Sequence, residues 1–193
     1  MLKFNAAALS QLEARARELH SGKRFSEAVE LLREVLAARL NSQGERHFQT
    51  INSRSGLARS LRAVHQYEEC VVLYTENIRV HWDKLGPDHP QTLRNRSRLA
   101  NTYFAAGRYL DALAMFDEIL TLRSQVLGPD HPDTLRSRSS LANTYAALDR
   151  YGEAVALHQE IIAGRVRVLG PDHPRTELSR QRLETARQSA TAE

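Results

Sequence analysis

The chain has 193 residues, a formal net charge of +4 and 41% hydrophobic residues, the balance of an ordinary soluble globular protein. No run of 18 apolar residues exists, which excludes a membrane-spanning helix, and a lone cysteine, Cys70, excludes an intramolecular disulfide. The single thiol suits a reducing compartment, and the opening MLKFNAAALS lacks the apolar core of a signal peptide, so a cytoplasmic location is expected.

Apolar residues recur at helical spacing along the whole chain, and no segment sustains the period-2 alternation of a strand. The pattern predicts nine helices. α1 covers roughly 5–20, with Ser21-Gly22 as its stop, and α2 covers about 24–40, followed by a loop over 41–44. α3 is expected over 47–64 and α4 over 67–84. The pair Gly86-Pro87 breaks the chain, and Pro90 then opens α5, where its missing N–H costs nothing. α5 runs to about 106, α6 covers 109–126, and α7 and α8 repeat this from 132 to 168. α9 begins at Pro174 and ends near 190, with the last residues, SATAE, expected to fray.

A repeat underlies these elements. LGPDHP occurs at Leu85–Pro90, Leu127–Pro132 and Leu169–Pro174, each copy 42 residues from the next. The block 85–126 matches the block 127–168 at 25 of 42 positions, which makes this a reiterated supersecondary unit rather than a chance motif. Fainter copies lie upstream in phase: Phe25, Tyr67, Tyr109 and Tyr151 form one column, and Ala28, Cys70, Ala112 and Ala154 another. The expected organisation is a single domain over 1–193, with units at about 5–44, 45–86, 87–128 and 129–170 and a capping helix at 174–190. In α9, Glu184 replaces the Ala of Ala100 and Ala142, and Arg187 replaces the Tyr of Tyr103 and Tyr145, as a terminal unit facing solvent requires.

α5 and α7 carry Leu-Ala-x-x-Tyr, echoed more faintly in α1 and α3, and the even-numbered helices carry an aromatic followed three residues later by a small residue, Ala or Cys. In the sequence these stand as LANTY–GRY–DA, Leu99 to Ala112, and LANTY–DRY–EA, Leu141 to Ala154. This resembles the tetratricopeptide repeat, and the extra residues around LGPDHP resemble the longer units of kinesin light chains and their bacterial relatives. The resemblance implies an all-α, right-handed superhelical solenoid of about four and a half helical hairpins. It also implies a non-catalytic adaptor that holds a peptide against a groove lined by the odd-numbered helices.

Positions counted from the Leu-Ala pair give the groove candidates that this resemblance implies. Asn52, Asn101 and Asn143 would hold a ligand backbone, since an amide both donates and accepts. Arg59, Arg62, Arg94 and Arg136 would select acidic side chains. Ser97 and Ser139 occupy the positions where carboxylate-clamping arrays carry Lys, and Phe104 offers an apolar contact. Kinesin light chains carry Asn before the Leu-Ala pair, where this chain has Arg98 and Ser140, so their cargo preference does not transfer.

Charge points the same way independently. The odd-numbered helices carry a positive excess and the even-numbered ones a negative one. α3 with its entry turn has Arg46, Arg54, Arg59 and Arg62 against Glu45, and α5 with its exit turn has Arg94, Arg96, Arg98 and Arg108 with no carboxylate. A surface of one sign draws the opposite sign, so the expected partner is an acidic peptide or protein segment. Self-association is the alternative, through a stripe of Val71, Val72, Tyr74 and Trp82 on α4. Nucleic acid ranks lower, because the tyrosines fall in packing columns rather than on a stacking platform.

No cofactor or metal is expected. Asp88-His89, Asp130-His131 and Asp172-His173 supply two ligands per loop, whereas units stand at least a helix-packing distance of ~8–10 Å apart and zinc ligands must lie ~2 Å from one ion. Helix capping by the Asp or the His is the better reading. Cys70 takes a small-residue packing position, His158 shares the column of Leu32, Tyr74 and Phe116 and is expected to be a satisfied core histidine, and no catalytic pairing is readable.

Overall fold

The structure, a computed structural model, describes residues 6–191. The expected helix start at Asn5 and the tail residues Ala192 and Glu193 lie outside them. Among the described residues the chain forms nine α-helices and no strand: α1 Ala6–Ser21, α2 Phe25–Gln43, α3 Phe48–Ala63, α4 Tyr67–Leu85, α5 Pro90–Ala105, α6 Tyr109–Leu127, α7 Pro132–Ala146, α8 Tyr151–Leu169 and α9 Pro174–Thr191. They fall into two compact units, one ending at Ala106 with α1–α5 and one starting at Gly107 with α6–α9. Within each unit every helix packs on the next in the chain, as a series of helical hairpins.

The even-numbered helices all stop alike. Gly44, Gly86, Gly128 and Gly170 follow them with φ between +80° and +94°, where a side chain would be strained. The expected loop over 41–44 is shorter than the sequence suggested, because α2 continues through Asn41, Ser42 and Gln43 until this glycine. The next helix then opens on a histidine. Nδ1 of His47, His89, His131 and His173 each accepts from the backbone N–H two residues on, at 3.1–3.3 Å. Behind the cap, Thr92 and Thr176 are fully buried and donate to the carbonyls of Gly86 and Gly170 at 2.8 and 3.0 Å, locking the loop to the helix it precedes.

Close approach within the hairpins depends on small side chains. Ala16, Ala58, Ala100 and Ala142 on the odd-numbered helices are all 0% exposed, as are Ala28, Cys70, Ala112 and Ala154 on the even-numbered ones. Leu57, Leu99, Leu141, Phe116, Ile119 and Ile161 fill the space around them. In α9, Leu183 and Ala186 are buried while Glu184 and Arg187 lie exposed.

Candidate functional site

The odd-numbered helices are held in place by a polar column that the apolar pattern hides. Arg39, His81, Arg123 and Arg165 are equivalent positions near the ends of even-numbered helices, and each bonds to the next odd-numbered helix, Arg39 through Gln49 Oε1 at 2.5 Å. Asn95 Nδ2 donates to His81 Nδ1 at 2.8 Å, Arg123 to Ser137 Oγ at 2.5 Å, and Arg165 to Ser179 Oγ. Arg39, only 1% exposed, reaches Glu13 at 2.8 Å, and Glu13 also accepts from the Ser53 hydroxyl. A second column ties the entry loops down: Arg54, Arg138 and Arg180 donate to the carbonyls of Glu45, Pro129 and Pro171, nine residues earlier.

These anchors leave one basic face on the first unit. Arg17 of α1, Asn52, Arg59 and Arg62 of α3, and Arg94 and Asn101 of α5 are exposed. Arg17, Arg59, Asn52 and the half-buried Arg98 line a cleft of about 200 Å³ together with His20 and Tyr74. Among the described residues no carboxylate pairs with Arg17, Arg59, Arg62, Arg94 or Arg98. Many other exposed arginines are matched, Arg33 with Glu69 and Arg79 with Glu45 in the first unit and Arg150 with Glu153 and Arg167 with Asp130 in the second, at 2.5–2.7 Å, whereas Arg175, Arg182 and Arg187 of α9 are exposed with no carboxylate partner among the described residues. The unpaired charges feel one another. Burial lowers the proton affinity of Arg98, and Arg94 and Arg59 lower it further. Burial likewise pushes His20 down, with Arg59 and Arg62 adding to the effect.

Several expected contributors are placed otherwise. Ser139 is buried and its hydroxyl donates to Leu135 O at 3.0 Å; the half-buried Ser97 does the same to Leu93 O at 2.8 Å. A serine inside a helix donates to the carbonyl four residues back, which leaves only its oxygen lone pairs for another group. The Asn101 amide also folds back, onto Ser97 O at 2.6 Å, but remains exposed. Phe104 is half-buried. In the second unit, Arg136 and Asn143 are exposed on α7, with Arg136 3.1 Å from Asp133 one turn earlier. The charge count along α3 and α5 overstated the free charge. Arg46 pairs with Asp83, Arg54 is buried against Glu76, Arg108 pairs with Asp111, and Arg96 is buried with its guanidinium over the Trp82 ring.

The sequence profile of the family described as Tetratricopeptide repeat matches residues 49–118 and 94–165, well over half of the chain. The chain belongs to the tetratricopeptide repeat family. No curated protein matches it. Among solved structures it is similar to a Podosopora anserina kinesin light chain protein with nearly identical TPR-like repeats: 28% identity, TM-score 0.83, covering 95% of this chain and 87% of that one. A point variant of the same protein gives a TM-score of 0.84 at the same identity and coverage. BtubC (BKLC) from P. vanneervenii superposes with a TM-score of 0.66 at 15% identity, covering 96% of this chain and 82% of that one, a likeness of fold alone.

Tetratricopeptide hairpins explain the remaining polar candidates as structure. The LGPDHP histidines cap helices, and among the described residues no three His, Cys, Asp or Glu side chains gather to hold a metal ion. Cys70 is buried 3.3 Å from Thr102 Oγ1, and burial raises its thiol above the usual range, away from reactivity. His158 is buried as expected, but its Nδ1 has no hydrogen-bond partner, and burial followed by Arg182 and Arg165 lowers its proton affinity. The expected apolar stripe on α4 is broken. Tyr74 is 3% exposed and turned toward α1 and α3, which leaves Val72 and Trp82 at 55% and 48%. Among the described residues no helix is long and apolar enough to cross a membrane.

Proposed function

We propose that this chain is a non-catalytic scaffold whose odd-numbered helices bind an acidic peptide or protein segment. Tetratricopeptide repeat proteins generally mediate protein–protein interactions, and the kinesin-light-chain-like fold is typically a non-catalytic scaffold. The observation that carries the acidic preference is the guanidinium set Arg17, Arg59, Arg62 and Arg94, without carboxylate partners among the described residues, on the first unit, where the other exposed arginines, Arg15, Arg24, Arg33, Arg46 and Arg79, have them. In the second unit Arg136, 3.1 Å from Asp133, is a separate candidate for selecting acidic residues on α7. Within the first unit Asn52 and Asn101 hold the ligand backbone and Phe104 packs an apolar side chain, with Ser97 beside them as an acceptor; Asn143 and Ser139 take the same roles on α7 of the second unit.

A random peptide library selected on the wild-type chain tests this. The expected winners are rich in Asp and Glu, and Arg59→Gln, Arg62→Gln and Arg94→Gln together lose them while helicity stays unchanged. The same winners from the triple variant would overturn the reading. The competing reading, self-association through α4, retains the exposed Val72 and Trp82 in its favour. It predicts a dimer in sedimentation that Trp82→Ser dissociates.

A further inference from the structure

We propose that the cleft between α1, α3 and α5 is a pocket for a phosphate monoester, the phosphorylated side chain of a partner segment. This rests on the acidic-segment reading and narrows it to a ligand chemistry. The cleft holds about 200 Å³ and presents three guanidiniums, Arg17, Arg59 and Arg98, with the Asn52 amide beside them. The carboxylate in its wall, Glu13, is already taken by Arg39 at 2.8 Å and by the Ser53 hydroxyl, so it neither neutralises the arginines nor repels an anion at full strength.

Charge number favours phosphate over carboxylate. A carboxylate has two oxygens and fits one guanidinium fork, which would leave two arginines of the pocket unmatched. A phosphorylated side chain brings about −1.5 to −2 charge and three acceptor oxygens near pH 7, enough to engage all three. The empty pocket bears the cost of its own charge. Arg98 is half-buried with no carboxylate partner among the described residues and a long 3.5 Å contact to Asn95 Oδ1; burial costs it most, Tyr74 beside it offsets part of that, and Arg94 and Arg59 oppose it. His20 in the same wall bonds Ser60 Oγ at 3.0 Å and is opposed by Arg59 and Arg62. A dianion relieves these repulsions about twice as far as a monoanion in the same place. The remaining ionisable neighbour, Tyr74, is buried and held in its neutral form.

Calorimetric titration of the whole chain with three probes decides the matter. Two are blocked Gly-Ser peptides with flanking Glu residues that differ only in a central phosphoserine or Glu; the third is inorganic phosphate. The phosphopeptide is expected to bind about ten-fold more tightly than its Glu counterpart. That advantage should vanish in Arg59→Met and in Arg17→Met, the latter at an exposed position on α1 that spares the packing around Arg98. Arg94→Met, outside the cleft, should weaken both peptides alike. Equal affinity of the two peptides, or an advantage that survives Arg17→Met and Arg59→Met, overturns the pocket while leaving an Arg94-sensitive acidic-segment site standing. Inorganic phosphate binding as tightly as the phosphopeptide overturns the assignment to a side chain. Failure of both peptides to bind sinks the broader reading as well.

Discussion

Lys23, His65, Gly107 and Asp149 share one column and one backbone state, with φ between +58° and +75°. The turn inside each hairpin requires it, yet only one of the four is glycine. In two turns the side chain repays part of the strain: His65 Nδ1 meets the Tyr67 hydroxyl at 2.6 Å, and the Tyr151 hydroxyl donates to Asp149 at 2.9 Å. Lys23 is exposed and has no such contact among the described residues, so Lys23→Gly should stabilise the fold by about 1 kcal/mol in thermal or urea unfolding. An unchanged or lower midpoint would show that the turn tolerates the side chain. His158 gives a pH prediction. Its folded-state proton affinity is lowered by burial, then by Arg182 and Arg165, from an ordinary value of 6.5. The unfolded chain therefore takes up the proton first. The stability it contributes is complete above about pH 6.5 and is lost as pH falls through the lowered folded value. His158→Leu, a residue its column already accepts at Leu32, should flatten the fall in melting temperature between pH 7.5 and 5. A slope that persists unchanged would place the titration on His20 or His81, which burial also pushes down. From sequence, His158 read as a packed histidine, which it is; that its Nδ1 lacks a partner depends on neighbours no column shows.

At the scale of elements, the 42-residue period and the Gly–Pro–His–Pro punctuation locate every helix to within three residues. Two features stayed hidden. The left-handed turn residue escaped because Gly22, one position early, looked like the natural stop for α1. The Arg39–His81–Arg123–Arg165 column escaped because its partners lie on other helices, fourteen residues on for His81, Arg123 and Arg165 and on α1 and α3 for Arg39, and the apolar periodicity that locates helices does not register such polar pairs. Gly164 is a third such case. It reads as a helix weakener, but a Cβ there would sit 2.8 Å from Asp130 Oδ1 and 2.9 Å from Leu135 Cδ2. Its bareness lets the loop before α7 press on α8, where Asp130 also grips Arg167 at 2.7 Å. Gly164→Ala should therefore cost about 1–3 kcal/mol despite the better helix propensity of Ala. A stabilised variant would mean that the Asp130 loop yields freely.

For the molecule as a whole, a net charge of +4 is modest, and function follows from how charge is paired rather than from its sum. In the first unit carboxylates are spent on arginines that brace loops and even-numbered helices, which leaves Arg17, Arg59, Arg62 and Arg94 without them among the described residues. The sequence registered the excess on α3 and α5 but counted Arg46, Arg54, Arg96 and Arg108 as part of it, because ion pairing across helices is invisible in a linear charge count. The decisive comparison is between unpaired and paired arginines. One Glu-rich peptide from the library selection would be titrated into wild type, into Arg59→Gln with Arg62→Gln, and into Arg33→Gln with Arg79→Gln. Loss of the first pair should weaken binding about ten-fold or more, while loss of the second pair, whose charges are already satisfied, should change it less than about two-fold. Equal weakening in both variants would mean that the peptide answers only to net charge, and the basic face would not be its site.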